Sequence, residues 1–321
     1  MRKLKLFVYD HAPGHVHDTI PEYRDTVPFS KDGIRRWCEI VGPTEAELFY
    51  CGQYTDENRW MLRSERFGHF RVETEERHVF DLEGDQSHLS FMPWMRHSII
   101  TAMNAEPNHR NWSCFVRPGC SKLLMALVED PPPLSLPKRH GFYFRGQRDP
   151  HGVRERLRLA VQESGVDHLF EFTDNWNAPT PANHADVLRY RHEMAEWSMA
   201  LCPSGSGQMS VRYFEACAFD RAPIVVADNL LFEDGSIRTI KLRLASVEVM
   251  ARCLHNIACN AQGVVHAAAQ ARAMFSTGVK PYFDDPTLYL LGRLQYRGQL
   301  DGTEWANEQA RRASVYMEAT K

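Results

Sequence analysis

Apolar and polar positions along this chain fall into short blocks of two periods. Residues 4–10 (Leu-Lys-Leu-Phe-Val-Tyr-Asp) read as a first β-strand ending at a charge. Ile34, Trp37, Cys38 and Val41 recur at helical spacing, and 47–51 and 78–82 are strand-like apolar runs. Residues 112–117 predict another strand and 119–128 a helix. After a run of prolines the alternation is plainer. Strands are expected at 140–145, 168–172, 199–203 and 223–227, with helices at 153–164, 185–197, 210–219 and 247–257. Val247, Met250, Cys253, Leu254 and Ile257 lie on one side of the last of these, and helices dominate from there on. Strands separated by helices predict parallel α/β sheets.

The proline run, Pro131-Pro132-Pro133-Leu134-Ser135-Leu136-Pro137, predicts a stiff extended connection. With 321 residues, and about 150 per domain, two domains are expected. The reading is an N-terminal acceptor-side domain at 1–130, a linker at 131–137 and a C-terminal domain at 138–321, whose last helices pack back on the first domain. In doubly wound sheets ligands bind outside the carboxyl ends of the strands, so the residues just after each strand carry the functional interest.

Composition narrows the classes. Hydrophobic residues at 43% and charged residues at 25% exclude global disorder. Thirty-eight Lys and Arg against 41 Asp and Glu leave a net charge of −3, without the basic excess of a general nucleic-acid binder. No apolar run reaches the ~18 residues of a membrane span, and the N-terminus is not read as a signal peptide. The eight cysteines have no C-x-x-C spacing and read as scattered thiols in a reducing cytoplasm.

Four segments could carry chemistry. In 202–216, a strand ends at Cys202, Gly205 and Gly207 make the following loop flexible, and Ser210 is placed to cap a helix. Amides at such a helix start favour an anion. Arg212 adds a full charge, and Glu215, three residues on, could accept bonds from vicinal hydroxyls. A tight turn and a solvated Arg–Glu pair are the bland alternative. In 142–150, an apolar strand delivers Arg145 and Arg148 around Gly146, and Arg154 follows. Guanidinium forks suit phosphate oxygens, whereas Arg156 and Arg158 read as a solvated face. Together the two loops outline a diphosphate site that needs no metal, and no Asp-x-Asp pair stands out. His11, His15, His17 and Asp18 follow the first strand without completing a metal-ligand pattern. Asp85 and His88, with Asp10 and His11, are the candidates for a general base.

The segment 202–228 resembles the exostosin-type glycosyltransferases. Cys202, Pro203, Gly205, Ser210, Arg212, Phe214, Glu215, Ala216, Pro223, Ala227 and Asp228 match the family pattern, as do Tyr190, Met194 and Ser198 upstream. Phe144-Arg145-Gly146 is similar to the family's strand–basic–Gly turn, and 6–10 to the start of its first domain. Gly84-Asp85-x-x-His88 echoes its Gly-x-Asp-His element, and Phe219-Asp220 replaces its small Ala-Gly turn at a place where Asp tolerates a left-handed backbone. The resemblance implies a GT-B architecture of two Rossmann-like domains facing a central cleft. It implies inverting sugar transfer from a nucleotide-sugar, UDP by preference, to a glycan or glycoconjugate hydroxyl, with no bound cofactor or metal. Arg145, Arg148 and Arg212 would hold the diphosphate, Glu215 the ribose, and the base would come from the first domain. Such an enzyme would be soluble and cytoplasmic. A degenerate protein of the same fold that binds without turnover, and a sulfotransferase- or kinase-like enzyme using Gly205-Ser206-Gly207, are the competing readings. The latter lacks the Lys-Ser/Thr that should follow its loop.

Overall fold

The computed structural model describes residues 2–9, 29–54, 62–71, 73–82, 92–102, 113–116, 122–133, 135–149, 151–173, 184–204, 210–227 and 240–319. They form two units, Met1–Pro118 with Lys280–Lys321, and Gly119–Val279. The first unit begins with β1 (Leu4–Val8), α1 (Lys31–Trp37), β2 (Cys38–Ile40), β3 (Leu48–Tyr54), β4 (His78–Leu82), β5 (Ile99–Ala102) and β6 (Ser113–Val116). Its six strands are parallel, in the order β2-β1-β3-β4-β5-β6.

The second unit holds α2 (Lys122–Glu129), β7 (Arg139–Gly146), α3 (Val153–Glu163), β8 (His168–Phe172), α4 (His184–Glu196), β9 (Trp197–Pro203), α5 (Arg212–Ala218), β10 (Ala222–Val226), β11 (Ile240–Leu242), α6 (Val247–Cys259) and α7 (Ala261–Met274). Its five strands are also parallel, ordered β11-β10-β9-β7-β8. In both sheets the chain lays its second strand on one side of the first and its third on the other. That reversal is the topological switch point of a doubly wound sheet, β1/β3 in the first unit and β7/β9 in the second. The fold class is therefore α/β with two Rossmann-like sheets, the composition of a GT-B chain.

The two-residue period of β7 divides its side chains between two layers. Phe142 and Phe144 join Leu157 of α3 and Leu254 of α6 in the apolar core. Tyr143 and Arg145 point to the other face, where they meet Glu193 of α4. Because both faces are covered, β9 and β10 are buried end to end and read as unbroken apolar runs. Gly141 has no room for a side chain, since a Cβ there would lie 2.0 Å from the Asp167 carbonyl oxygen.

The proline run does not separate the units. Helix α2, ahead of it, already packs on α5, and the Arg221 guanidinium, buried between elements, donates to the Ser135 carbonyl at 3.0 Å. The chain returns to the first unit through α8 (Lys280–Asp284), α9 (Pro286–Tyr296) and α10 (Glu304–Ala319). Leu288, Leu291, Leu294 and Trp305 from this tail fill the same core as Leu4, Leu6 and Trp37. Asp285 locks it there. Its buried carboxylate accepts from Trp37 Nε1 at 2.9 Å, Arg36 at 3.2 Å and Arg312 at 3.4 Å, and caps α9 through the Leu288 amide at 3.1 Å. The expected helical run through Val41 is instead cut after Trp37, where Cys38–Ile40 pairs with β1. Asp220 has the left-handed backbone, φ 54°, expected at that turn. Cys38, Cys51, Cys202 and Cys217 are buried thiols, Cys253 is half-buried and Cys259 is exposed.

His78 is fully buried and stacked on Phe49 at 4.6 Å. Its Nδ1 lies 2.7 Å from the Thr74 carbonyl, which can only accept, so Nε2 accepts from the Tyr9 hydroxyl at 3.0 Å. Burial pushes its pKa from 6.5 down to about 4. Below pH 6.5 the unfolded chain takes up a proton that the native imidazole refuses, so stability falls from pH 6.5 to about 4. The loss expected over that window is about 3 kcal/mol. His78→Gln should flatten this part of the pH dependence in denaturant unfolding. An unchanged slope would refute the assignment.

Candidate functional site

The carboxyl end of β7, at the switch point of the second sheet, gathers Phe144, Arg145 and Gly146. The Arg212 guanidinium lies 4.5 Å above the Phe144 ring, and its Nη2 donates to the Arg145 carbonyl. Gly146 makes that position possible, because a Cβ there would stand 2.6 Å from Arg212 Nη2. On the α3 side, Arg154 lies 5.8 Å from the same ring and donates to the Gln147 carbonyl at 2.7 Å. Asp149 fixes this turn by accepting from the Val153 amide at 2.9 Å and the Arg154 amide at 2.7 Å. The Nε atoms of both arginines are buried without a hydrogen-bond partner. Among the described residues no carboxylate comes within ion-pair distance of either guanidinium, although Glu215 and Asp149 act on them from farther off. Burial, then the Arg212 charge, lowers the Arg154 pKa to about 10, against the pull of Asp149. Two partly desolvated cations around one aromatic ring make a place that an anion would stabilise.

The other predicted arginines are engaged. Arg145 is buried, with its guanidinium 3.0 Å from Glu171, 3.4 Å from Glu193 and 3.6 Å from Asp186. Arg189 binds Glu171 and Glu193 as well, at 2.8 and 2.7 Å. In this arrangement Arg145 serves Arg212 through its main-chain carbonyl, while its side chain pins the end of β7 to α4. Arg148 is exposed, lies 4.3 Å over Phe172 and pairs with Glu155 at 3.1 Å. Arg158 pairs with Glu155 too, as a solvated-face residue would.

Ser210 is not the N-cap of α5. The helix starts at Arg212 with Val211 as its cap and no side-chain capping bond, and Ser210 contributes its carbonyl to the Tyr213 amide at 3.0 Å. Glu215 is buried, with Oε2 accepting from the Tyr190 hydroxyl at 2.6 Å. Asp10, His11, Asp85, His88, Gly205 and Gly207 lie outside the described residues, as do His15, His17 and Asp18. Among the described residues no three His, Cys, Asp or Glu side chains are grouped to hold a metal, and no helix is long and apolar enough to cross a membrane.

Sequence reasoning passed over three features. Arg154 is not among the residues expected to hold the diphosphate beside Arg212, because the two sit on different helices, α3 and α5, and leave no spacing signal. The Tyr143–Glu193 and Tyr190–Glu215 pairs join residues 50 and 25 positions apart. Asp81, buried near the end of β4, accepts from Thr101 Oγ1 at 2.6 Å and is hidden in sequence within an apolar strand.

Gly146→Ala tests the packing of Arg212. The Cβ meets the end of a flexible side chain rather than backbone, so stability should change by less than about 1 kcal/mol. Displacing the guanidinium should weaken inorganic pyrophosphate binding about tenfold, measured by calorimetric titration. Unchanged affinity would separate Arg212 from the anion.

No protein-family model matches the chain, and no curated protein does. Among solved structures, a putative UDP-N-acetylglucosamine 2-epimerase from Listeria monocytogenes aligns over 94% of this chain and 98% of that chain, at 10% identity and a TM-score of 0.35. A likeness at that level bears on neither activity nor site residues.

Proposed function

We propose that the protein is an exostosin-type glycosyltransferase that moves a sugar from a nucleotide-sugar, a UDP-sugar first, to a glycan or glycoconjugate hydroxyl in the cytoplasm. The observation that carries the reading is the pair Arg154 and Arg212, flanking Phe144 at the switch point without a carboxylate in ion-pair range among the described residues. A pyrophosphate brings the charge that such a pair lacks. The demand for positive charge peaks as the glycosidic bond breaks and the diphosphate leaves, so preorganised guanidinium groups stabilise the transition state more than the bound donor. Amides of the loop through Gly205, Gly207 and Ser210 would add neutral donors. Glu215, one helical turn from Arg212, would accept from the ribose hydroxyls. The acceptor hydroxyl would attack the anomeric carbon on the face opposite the leaving group, with inversion. One of Asp10, His11, Asp85 or His88 would take its proton. In this scheme two arginines supply the charge that a divalent cation supplies elsewhere, and no cofactor enters.

The test is incubation with a panel of UDP-sugars and glycan acceptors, followed by UDP release and acceptor mass. Acceptor-dependent UDP release with a one-sugar mass gain is expected. Binding of UDP without release from any donor would assign the chain to a degenerate binding protein instead. Binding of neither UDP nor pyrophosphate would overturn the reading.

A further inference from the structure

Helix α4 brings one side chain to the proposed nucleotide site that cannot itself meet a ligand. Tyr190 is 1% exposed, and its hydroxyl donates to Glu215 Oε2 at 2.6 Å across the α4–α5 interface. Its ring is held edge-on to Tyr143 at 5.8 Å, and the Tyr143 hydroxyl donates in turn to Glu193 at 3.3 Å. Turning the Glu215 carboxylate away would leave a buried phenol without its acceptor. Burial, reinforced by the Glu215 charge, holds the Tyr190 phenol far above its ordinary pKa, so it stays a donor throughout the accessible pH range.

We propose that Tyr190 is a positioning residue that fixes the Glu215 carboxylate as the acceptor for the ribose hydroxyls of the nucleotide, and so sets ribose recognition without touching the ligand. The inference rests on the nucleotide-sugar reading of this site. Its chemistry is specific. Vicinal hydroxyls are two donors at a fixed separation, and they reward an acceptor whose plane is set beforehand. The pyrophosphate needs only charge, which Tyr190 does not supply. Loss of the phenol should therefore be felt by the sugar half of the ligand and not by the phosphate half.

Tyr190→Phe keeps the ring and removes the donor. Calorimetric titrations with UDP, 2′-deoxy-UDP and inorganic pyrophosphate read the effect. For the wild type, UDP should bind about tenfold more tightly than 2′-deoxy-UDP. In Tyr190→Phe, UDP affinity should fall about tenfold while pyrophosphate affinity changes less than about twofold, erasing the discrimination. Equal losses for UDP and pyrophosphate, or none for UDP, would overturn the inference. Glu215→Gln preserves the side-chain shape and must reproduce the same ribose-selective loss, which keeps the test decisive if Tyr190→Phe folds poorly. Should Arg212→Ala abolish pyrophosphate binding while Tyr190→Phe and Glu215→Gln change nothing, the inference fails and the nucleotide reading stands. Should the wild type bind neither UDP nor pyrophosphate, both fail.

Discussion

Arg212→Ala should lower kcat/KM for sugar transfer by about 100- to 1000-fold, the usual cost of removing one preorganised group that meets developing negative charge. The guanidinium is held from three sides: by the Arg145 carbonyl, by the face of Phe144 and by the space that Gly146 leaves open. It therefore meets an anion without first being ordered, which is where the expected size of the effect comes from. Arg212→Lys should recover only part of the loss, because an ammonium cannot donate to the Arg145 carbonyl and present a planar fork to the ligand at once. The fold should survive, since α5 is anchored by Tyr213, Phe214 and Cys217, all buried. Arg148→Ala is the matched control. Its guanidinium is exposed and paired with Glu155, so transfer should stay within about threefold of wild type. Initial rates of UDP release, read beside unfolding midpoints, check both. A wild-type rate for Arg212→Ala would contradict the assignment.

The largest expected loss of stability lies in the first unit. Asp285→Ala should cost about 3–5 kcal/mol, combining a stranded buried indole N–H, a lost helix cap and the lost partner of the half-buried Arg312. The carboxylate is 5% exposed and serves Arg36, Arg312, the Trp37 indole and the Leu288 amide of α9 together. Without it the indole N–H and the Leu288 amide are left buried with no acceptor. The damage should centre on the attachment of α9 and α10 to β1 and α1. Asp285→Asn keeps an oxygen for the cap but not the charge, and should fall between the two. Denaturant unfolding followed by far-UV circular dichroism measures this, and a shift below about 1 kcal/mol would show that the cluster does not hold the tail.

β9 and β10 of the second sheet were legible because they are buried on both faces and so stand out as unbroken apolar runs between amphipathic helices. β2 and β11, three residues each, were not, because so short a strand leaves no period to detect. The domain boundary was misplaced for a related reason. A proline run marks stiff chain, but whether that chain joins two units or lies within one depends on tertiary contacts such as α2 on α5 and Arg221 on Ser135. At the site, Arg212, Glu215 and Gly146 were visible as a motif. The division of labour among the arginines was not. Arg145 lies near the end of β7 and Arg154 in the first turn of α3, and the carboxylates brought by β8 and α4 engage only the first. Glu171, Asp186 and Glu193 engage Arg145, whereas Asp149 spends its oxygens on the amides that start α3. The left-handed backbone of Asp220 could be expected because it is a local property of residue type.

The central claim is that Arg154 and Arg212 together receive the pyrophosphate of a nucleotide. A crystal structure with bound UDP tests it most directly. The account predicts both phosphates within hydrogen-bond distance of those two guanidinium groups beside Phe144, with Arg145 still bound to Glu171 and Glu193. Phosphates seated on Arg148, or anywhere away from the carboxyl end of β7, would contradict it.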